Sequence, residues 1–169
     1  NYASSVGSTP HIAMEMLKSM AGINIVHIPY KGSGQAVTAV IAGESQLMST
    51  SAASVAPFMK SGKLRALAVT SARPSALLPG LPTVASSGLP GYDLASLNGV
   101  FASGKPPKAV VNRLNRDIVR GLNSAEVKEK VAAAGIEIVG SSSDEFAAAI
   151  KSEVVRIGKV IREAGINID

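Results

Sequence analysis

Glycines at 22, 43 and 62 each close a run of apolar residues set at helical spacing, and each is followed by a short apolar stretch. Before Gly22, Ile12, Met16, Leu17 and Met20 share one helix face; after it, Ile25-Val26-His27-Ile28 runs up to Pro29. An unbroken apolar run this short suits a buried strand of a parallel sheet. The second unit has Val37, Val40 and Ile41 on a helix from Ser33 to Gly43, then Gln46-Leu47-Met48-Ser49 as its strand. The third places Val55, Phe58 and Met59 on a helix capped by Ser51 and stopped near Gly62, followed by a strand from Leu64 to Val69. Strands joined through helices must run parallel, so three such units in succession predict an α/β layered sheet with right-handed crossovers.

The rhythm breaks between residues 70 and 93, where prolines at 74, 79, 82 and 90 restrict the backbone. Leu77, Leu78, Leu81, Val84 and Leu89 are anchors that a free linker would not carry, so this segment reads as an ordered surface excursion. A strand is expected from Ala95 to Phe101. Pro106-Pro107 then opens a helix bearing Val110, Leu114, Ile118 and Leu122, and Ser124 caps a shorter one with Val127 and Val131. Ile136 to Val139 reads as a lone strand. A capping box, Ser142-x-x-Glu145, starts the last helix, striped by Phe146, Ile150, Val154, Ile157 and Ile161. Three apolar helix faces need more sheet than residues 102–169 supply. Either these helices return to the first sheet or the strands they cover belong to another segment or another chain.

Composition narrows the chemistry. With 46% hydrophobic and 17% charged residues the chain is a folded globular one, and without cysteine it forms neither disulfides nor thiolate metal sites. No apolar run approaches the roughly 20 residues that span a bilayer. The formal charge of +5 sits mostly in residues 1–92, where Lys18, Lys31, Lys60, Lys63, Arg65 and Arg73 face only Glu15 and Glu44. That bias agrees with a small anionic partner. Nucleic acid is not expected, because the basic residues are scattered and the aromatics number three Tyr and three Phe.

The stretch Ser4-Ser5-Val6-Gly7-Ser8-Thr9-Pro10-His11 runs from a polar turn straight into the first helix. Pro10 at the first helical position would make Thr9 the N-cap and leave Ser8 just outside it. Unpaired backbone N–H groups at such an end carry partial positive charge and receive a carboxylate or phosphate; the same sequence also fits a helix cap with no ligand. Lys31-Gly32-Ser33-Gly34-Gln35 and Ser49-Thr50-Ser51-Ala52 repeat the pattern at the next two helices. His11 and His27 raise the alternative of a Ser/His hydrolase. Gly-x-Ser-x-Gly is absent, however, Gly32-Ser33-Gly34 lacks the remaining glycines of a dinucleotide fingerprint, and no His/Asp/Glu set lies at metal-ligand spacing. His11 is expected to donate a hydrogen bond into a cleft or to lie at the surface.

In order along the chain, Gly7-Ser8-Thr9-Pro10-His11, Pro29-Tyr30-Lys31-Gly32, Ser61-Gly62-Lys63-Leu64-Arg65-Ala66-Leu67-Ala68-Val69, Pro82-Thr83, Gly88-Leu89-Pro90-Gly91-Tyr92 and Leu97-Asn98-Gly99-Val100-Phe101-Ala102 resemble a known family. It is that of the solute receptors of tripartite tricarboxylate transporters, the Bug-type periplasmic binding proteins. The chain departs from the family pattern at Ser86, Leu97 and Ser103, where an acid, Trp and Pro are usual. The resemblance implies an α/β fold of the three-layer, type II-like clamshell kind. Residues 1–96 would be lobe 2, and residues 97–169 a crossing strand and the C-terminal part of lobe 1, whose N-terminal part is expected to lie outside this chain.

The resemblance also implies a periplasmic receptor and not an enzyme. It would capture a small organic carboxylate and deliver it to the transporter's membrane subunits, using no cofactor and no metal; presentation to a membrane sensor is the alternative output. The ligand-binding residues would be Ser5, Gly7, Ser8, Thr9 and His11 in the opening turn and Thr50, Ser51 and Ala52 in the turn before the third helix. The apolar stripes on residues 109–122 and 146–161 predict self-association of a chain cut short in this way.

Overall fold

The computed structural model describes residues 1–163, 165 and 166. Strands β1 (Tyr2–Ser4), β2 (His27–Pro29) and β3 (Leu47–Met48) alternate with helices α1 (Thr9–Ala21), α2 (Ser33–Ala42) and α3 (Ala52–Lys60). All pairings are parallel and the order is β2-β1-β3, so Ala3 lies between Ile28 on one side and Met48 on the other. The middle strand is one that periodicity does not reveal, since it is three residues long. Tyr2 and Ala3 are completely buried within it.

Local chemistry sets the helix limits. Gly22 adopts φ 63° beyond α1, a left-handed conformation open to glycine at no steric cost, and returns its N–H to the Lys18 carbonyl. Gly43 ends α2 in the same way, and Ala36, Val37 and Ala39 form its buried face. At α3 the cap is Ser51, as the sequence suggests.

The chain divides into two compact units, one made of Asn1–Ser96 with the described residues from Ile157 onward, the other of Leu97–Arg156. In the first, Ile12, Ala13 and Met16 of α1 pack with Tyr92 and Leu94, and Val84, Leu89, Ile157, Val160 and Ile161 close around them. The final turns of α6 (Ser143–Glu163) thus join the first unit, because Ile157, Val160 and Ile161 find apolar cover there. The Pro-rich excursion is tied down by backbone bonds. Val69 N–H donates to the Pro82 carbonyl (2.9 Å), Val84 N–H to Val69 (2.9 Å) and Leu94 N–H to Thr70 (2.8 Å), and the Asp93 carboxylate accepts from the Ala72 N–H (2.9 Å). The buried Tyr92 hydroxyl donates to the Ala13 carbonyl at 2.9 Å.

Three expected strands do not form among the described residues. From Leu64 to Val69 half-covered and exposed residues alternate as in a strand, but only Val69 pairs, in an isolated bridge to Thr83. Residues Ala95 to Phe101 and Ile136 to Val139 join no strand ladder, and Phe101 is 74% exposed. Sequence supplies the strand-like pattern; a ladder also needs a neighbour with free N–H and C=O groups.

In the second unit, α4 (Lys108–Leu122), α5 (Ala125–Ala133) and the start of α6 have no fully buried residue. Asn115 donates to the Ser141 carbonyl at 2.9 Å, and the capping box forms as read, with Ser142 N–H on the Glu145 carboxylate (2.8 Å) and Glu145 N–H on the Ser142 hydroxyl (3.2 Å). Gly99 lies so close to the Phe146 ring that a Cβ there would overlap it.

Two substitutions measure the first core. Tyr92→Phe should cost about 1 kcal/mol in urea melts, the net worth of one buried hydrogen bond, and Leu94→Ala about 2–5 kcal/mol, as usual for a buried leucine. A smaller effect of Leu94→Ala than of an exposed control such as Leu97→Ala would contradict this packing.

Candidate functional site

In a parallel α/β sheet the carboxyl ends of the strands are where connecting turns leave room for a ligand. β1 ends at Ser4 and β3 at Met48, and these two strands are direct neighbours. The turn of Ser5, Gly7, Ser8 and Thr9 and the turn of Thr50, Ser51 and Ala52 therefore leave the same end of the sheet side by side, each leading into a helix N-terminus. The Tyr30-Lys31-Gly32 turn after β2 leaves that end as well.

The first turn is built differently from the sequence reading. The N-cap is Ser8, not Thr9: its hydroxyl accepts from the His11 N–H (3.3 Å) and donates to the Ser5 carbonyl (2.7 Å). With its one hydrogen committed to Ser5, the Ser8 hydroxyl is a structural group of the turn and not a ready ligand donor. Pro10 is tolerated one position later than expected because the first N–H groups of a helix lack internal partners anyway. Gly7 takes φ 69°, which a side chain would strain. Among the described residues the Thr9 N–H and hydroxyl and the Ala52 N–H meet no protein acceptor. Ser51 caps α3 with extended backbone, and its hydroxyl lies 2.7 Å from that of Ser54.

His11 is neither at the surface nor a donor through Nδ1. It is 7% exposed, and its Nδ1 accepts the Gly7 N–H at 3.1 Å. An accepting Nδ1 places the ring hydrogen on Nε2 in the neutral form. Its ring stacks on His27, centroids 4.0 Å apart, and His27 stacks in turn on Tyr2 at 4.9 Å. Burial, and then the neighbouring His27, hold the His11 imidazole below its ordinary pKa of 6.5, with Glu15 opposing. Below the rings, the Tyr2 hydroxyl donates to Glu15 at 2.6 Å and Lys18 pairs with the same carboxylate at 2.9 Å. Burial alone would raise the Glu15 pKa; the bonds from Tyr2 and Lys18 outweigh it and hold it below the usual value. Burial, then the bond to Glu15, pushes the Tyr2 phenol upward. The Lys18–Glu15 pair is a local i,i+3 contact of α1, whereas the contacts of Tyr2 and His27 with this helix carry no sequence signature, because those residues reach it only through the fold.

The Ser4 hydroxyl lies 2.8 Å from His27 Nε2, close enough for a nucleophile and its base. Ser4 is 2% exposed, however, and among the described residues no carboxylate hydrogen-bonds His27. A substrate does not reach that oxygen.

This arrangement, a parallel sheet with crossover helices whose turns at one end lead into helix N-termini, defines an α/β domain. The sequence profile described as "Tripartite tricarboxylate transporter family receptor" matches residues 1–166. A relative from Pseudomonas sp. strain P51, "UPF0065 protein in tcbD-tcbE intergenic region", is 34% identical over 98% of this chain and 49% of its own length. Among solved structures, "R. palustris Rpa4515 with adipate" is similar with TM-score 0.82 and 34% identity, over 98% of this chain and 56% of that one. The periplasmic binding protein BugD is similar with TM-score 0.77 and 29% identity, over the same shares. The chain belongs to the tripartite tricarboxylate transporter receptor family, and it spans about half the length of these relatives.

The corrected cap changes the expected mutational pattern. Ser8→Ala should cost about 1 kcal/mol of stability as a lost N-cap, whereas Thr9→Ala should stay within about 0.5 kcal/mol; the reverse order in urea melts would restore Thr9 as the cap. Stability should also respond to acid through His11. A base whose folded pKa is depressed binds its proton more readily when unfolded, so stability is full above 6.5 and declines as pH falls through 6.5 toward the folded value. The slope of urea stability against pH in that window should shrink in His11→Asn.

Proposed function

We propose that this chain carries part of the binding site of a periplasmic receptor for a small organic carboxylate, which the receptor hands to the membrane subunits of a tripartite-type transporter. The observation that carries the reading is the pair of turns after β1 and β3, which presents the Thr9 N–H and hydroxyl and the Ala52 N–H at the carboxyl end of adjacent strands. Neutral donors at helix N-termini bind a carboxylate without a buried cation, and so without the desolvation cost of one. The positive bias of the first 92 residues would draw an anion toward this end.

Two comparisons support it. The R. palustris structure that is 34% identical is described with adipate, a linear dicarboxylate, and BugD is described as periplasmic. Among the described residues no helix is long and apolar enough to cross a membrane. The ligand's second lobe contacts are assigned to the part of the receptor beyond this chain's share of its relatives.

Calorimetry of the receptor against adipate and shorter and longer mono-, di- and tricarboxylates tests the reading. At least one should bind, and Thr9→Val should weaken it about tenfold, as expected for one hydrogen bond to a charged group, with unchanged urea stability. Binding that is indifferent to Thr9→Val would move the site away from this turn, and no binding by any carboxylate would refute the receptor's proposed cargo.

A further inference from the structure

The stack of His11 on His27 lies directly behind the turn that the proposed ligand would meet, and one hydrogen bond links the two. Gly7, in the middle of the turn, has a left-handed backbone and gives its N–H to His11 Nδ1 at 3.1 Å. The groups facing the two rings are Tyr2 and Ser4 from β1 and Glu15 and Lys18 from α1; Tyr2 lies 6.2 Å from His11 and 4.9 Å from His27, and Ser4 meets His27 Nε2. Glu15 is the one carboxylate of this set, and Tyr2 and Lys18 already share it.

We propose that His11 is a positioning residue for the anion-binding turn: its Nδ1 lone pair fixes Gly7, and protonation, which removes that lone pair, loosens the turn and weakens ligand binding in acid. The inference rests on the carboxylate-receptor reading for its effect on affinity. Protonated Nδ1 carries a hydrogen, so it would face the Gly7 N–H donor to donor. The imidazolium would also be buried, with the His27 ring stacked 4.0 Å away, and burial disfavours the charged form. Gly7 would have to turn away, and with it the segment that delivers Ser8 to its cap and Thr9 to the ligand. The sign of the effect is diagnostic. A histidine acting on the anion only through its charge binds it more tightly when protonated; one that acts through Gly7 binds it more weakly.

The experiment uses two readouts on the receptor, from about pH 7.5 down through the His11 titration as followed by the ring's own proton shifts. Adipate affinity by calorimetry should fall about tenfold in the wild type, the size of effect expected from losing one hydrogen bond that holds a site. His11→Asn places an amide oxygen near the Nδ1 position; it should bind somewhat more weakly than wild type at pH 7.5 and keep only the shallower pH dependence of the ligand's own carboxyl groups. In the ligand-free protein, amide exchange and the nitrogen-15 shift of Gly7 should follow the His11 titration in the wild type and stay constant in His11→Asn. A wild-type affinity whose fall in acid is no steeper than that of His11→Asn overturns the proposal. If no carboxylate binds at pH 7.5, the receptor reading fails by itself, and the Gly7 amide still decides the link: its independence from His11 titration refutes it.

Discussion

The structure of the first unit depends on a three-residue strand. β1 lies between β2 and β3, so its backbone satisfies both neighbours at once, and removing it would leave two short strands with no partner. Short parallel strands are weak by themselves, and this sheet holds because its middle is dry: Tyr2 and Ala3 are fully buried, and Ser4 nearly so. The same strand sets the functional geometry. Its end at Ser4 places the turn into α1 beside the turn into α3, so the fold's central pairing and the candidate site's position are one constraint.

Burying Tyr2 brings its hydroxyl inside, and that polar group has to be paired. Glu15 accepts it and Lys18 balances Glu15, so a chain of bonds runs from the middle strand through the first helix. On the ring face of Tyr2, His27 and His11 stack in sequence and end at the Gly7 N–H. Sheet, helix and turn are thereby coupled through one chain of hydrogen bonds and stacked rings. The second unit has no counterpart to this. Its helices carry regular caps and ion pairs such as Arg120 with Asp117 at their surface, but no fully buried residue among those described.

What was legible in the sequence follows the range of the interactions. Gly22 and Gly43 as stops, Pro106-Pro107 as an opening, Ser51 as a cap and the Ser142/Glu145 box are decided within a few residues, and all are found. The cap of α1 slipped by one residue, from Thr9 to Ser8, because Pro10 is acceptable at either of two first-turn positions. Strands at Leu64 to Val69, Ala95 to Phe101 and Ile136 to Val139 were expected from their composition, yet pairing depends on a distant partner that composition does not reveal. β1 was missed for the opposite reason: three residues give no period to read, and its strength comes from both neighbours. Of the site residues, the two turns were visible as cap-like Ser/Thr clusters. The burial of His11 was not, since it depends on the rings of Tyr2 and His27, which the strands bring to α1 from elsewhere in the chain.

The central claim is that the carboxyl ends of β1 and β3 present a carboxylate site through N–H groups and the Thr9 hydroxyl. A crystal structure of the receptor grown with adipate tests it most directly. The account predicts a carboxylate oxygen within about 3 Å, an ordinary hydrogen-bond distance, of the Thr9 and Ala52 nitrogens, with the Ser8 hydroxyl still on Ser5 and the Gly7 N–H still on His11. A carboxylate bound away from both turns, or one that reaches them only after Ser8 has left its cap, would contradict it.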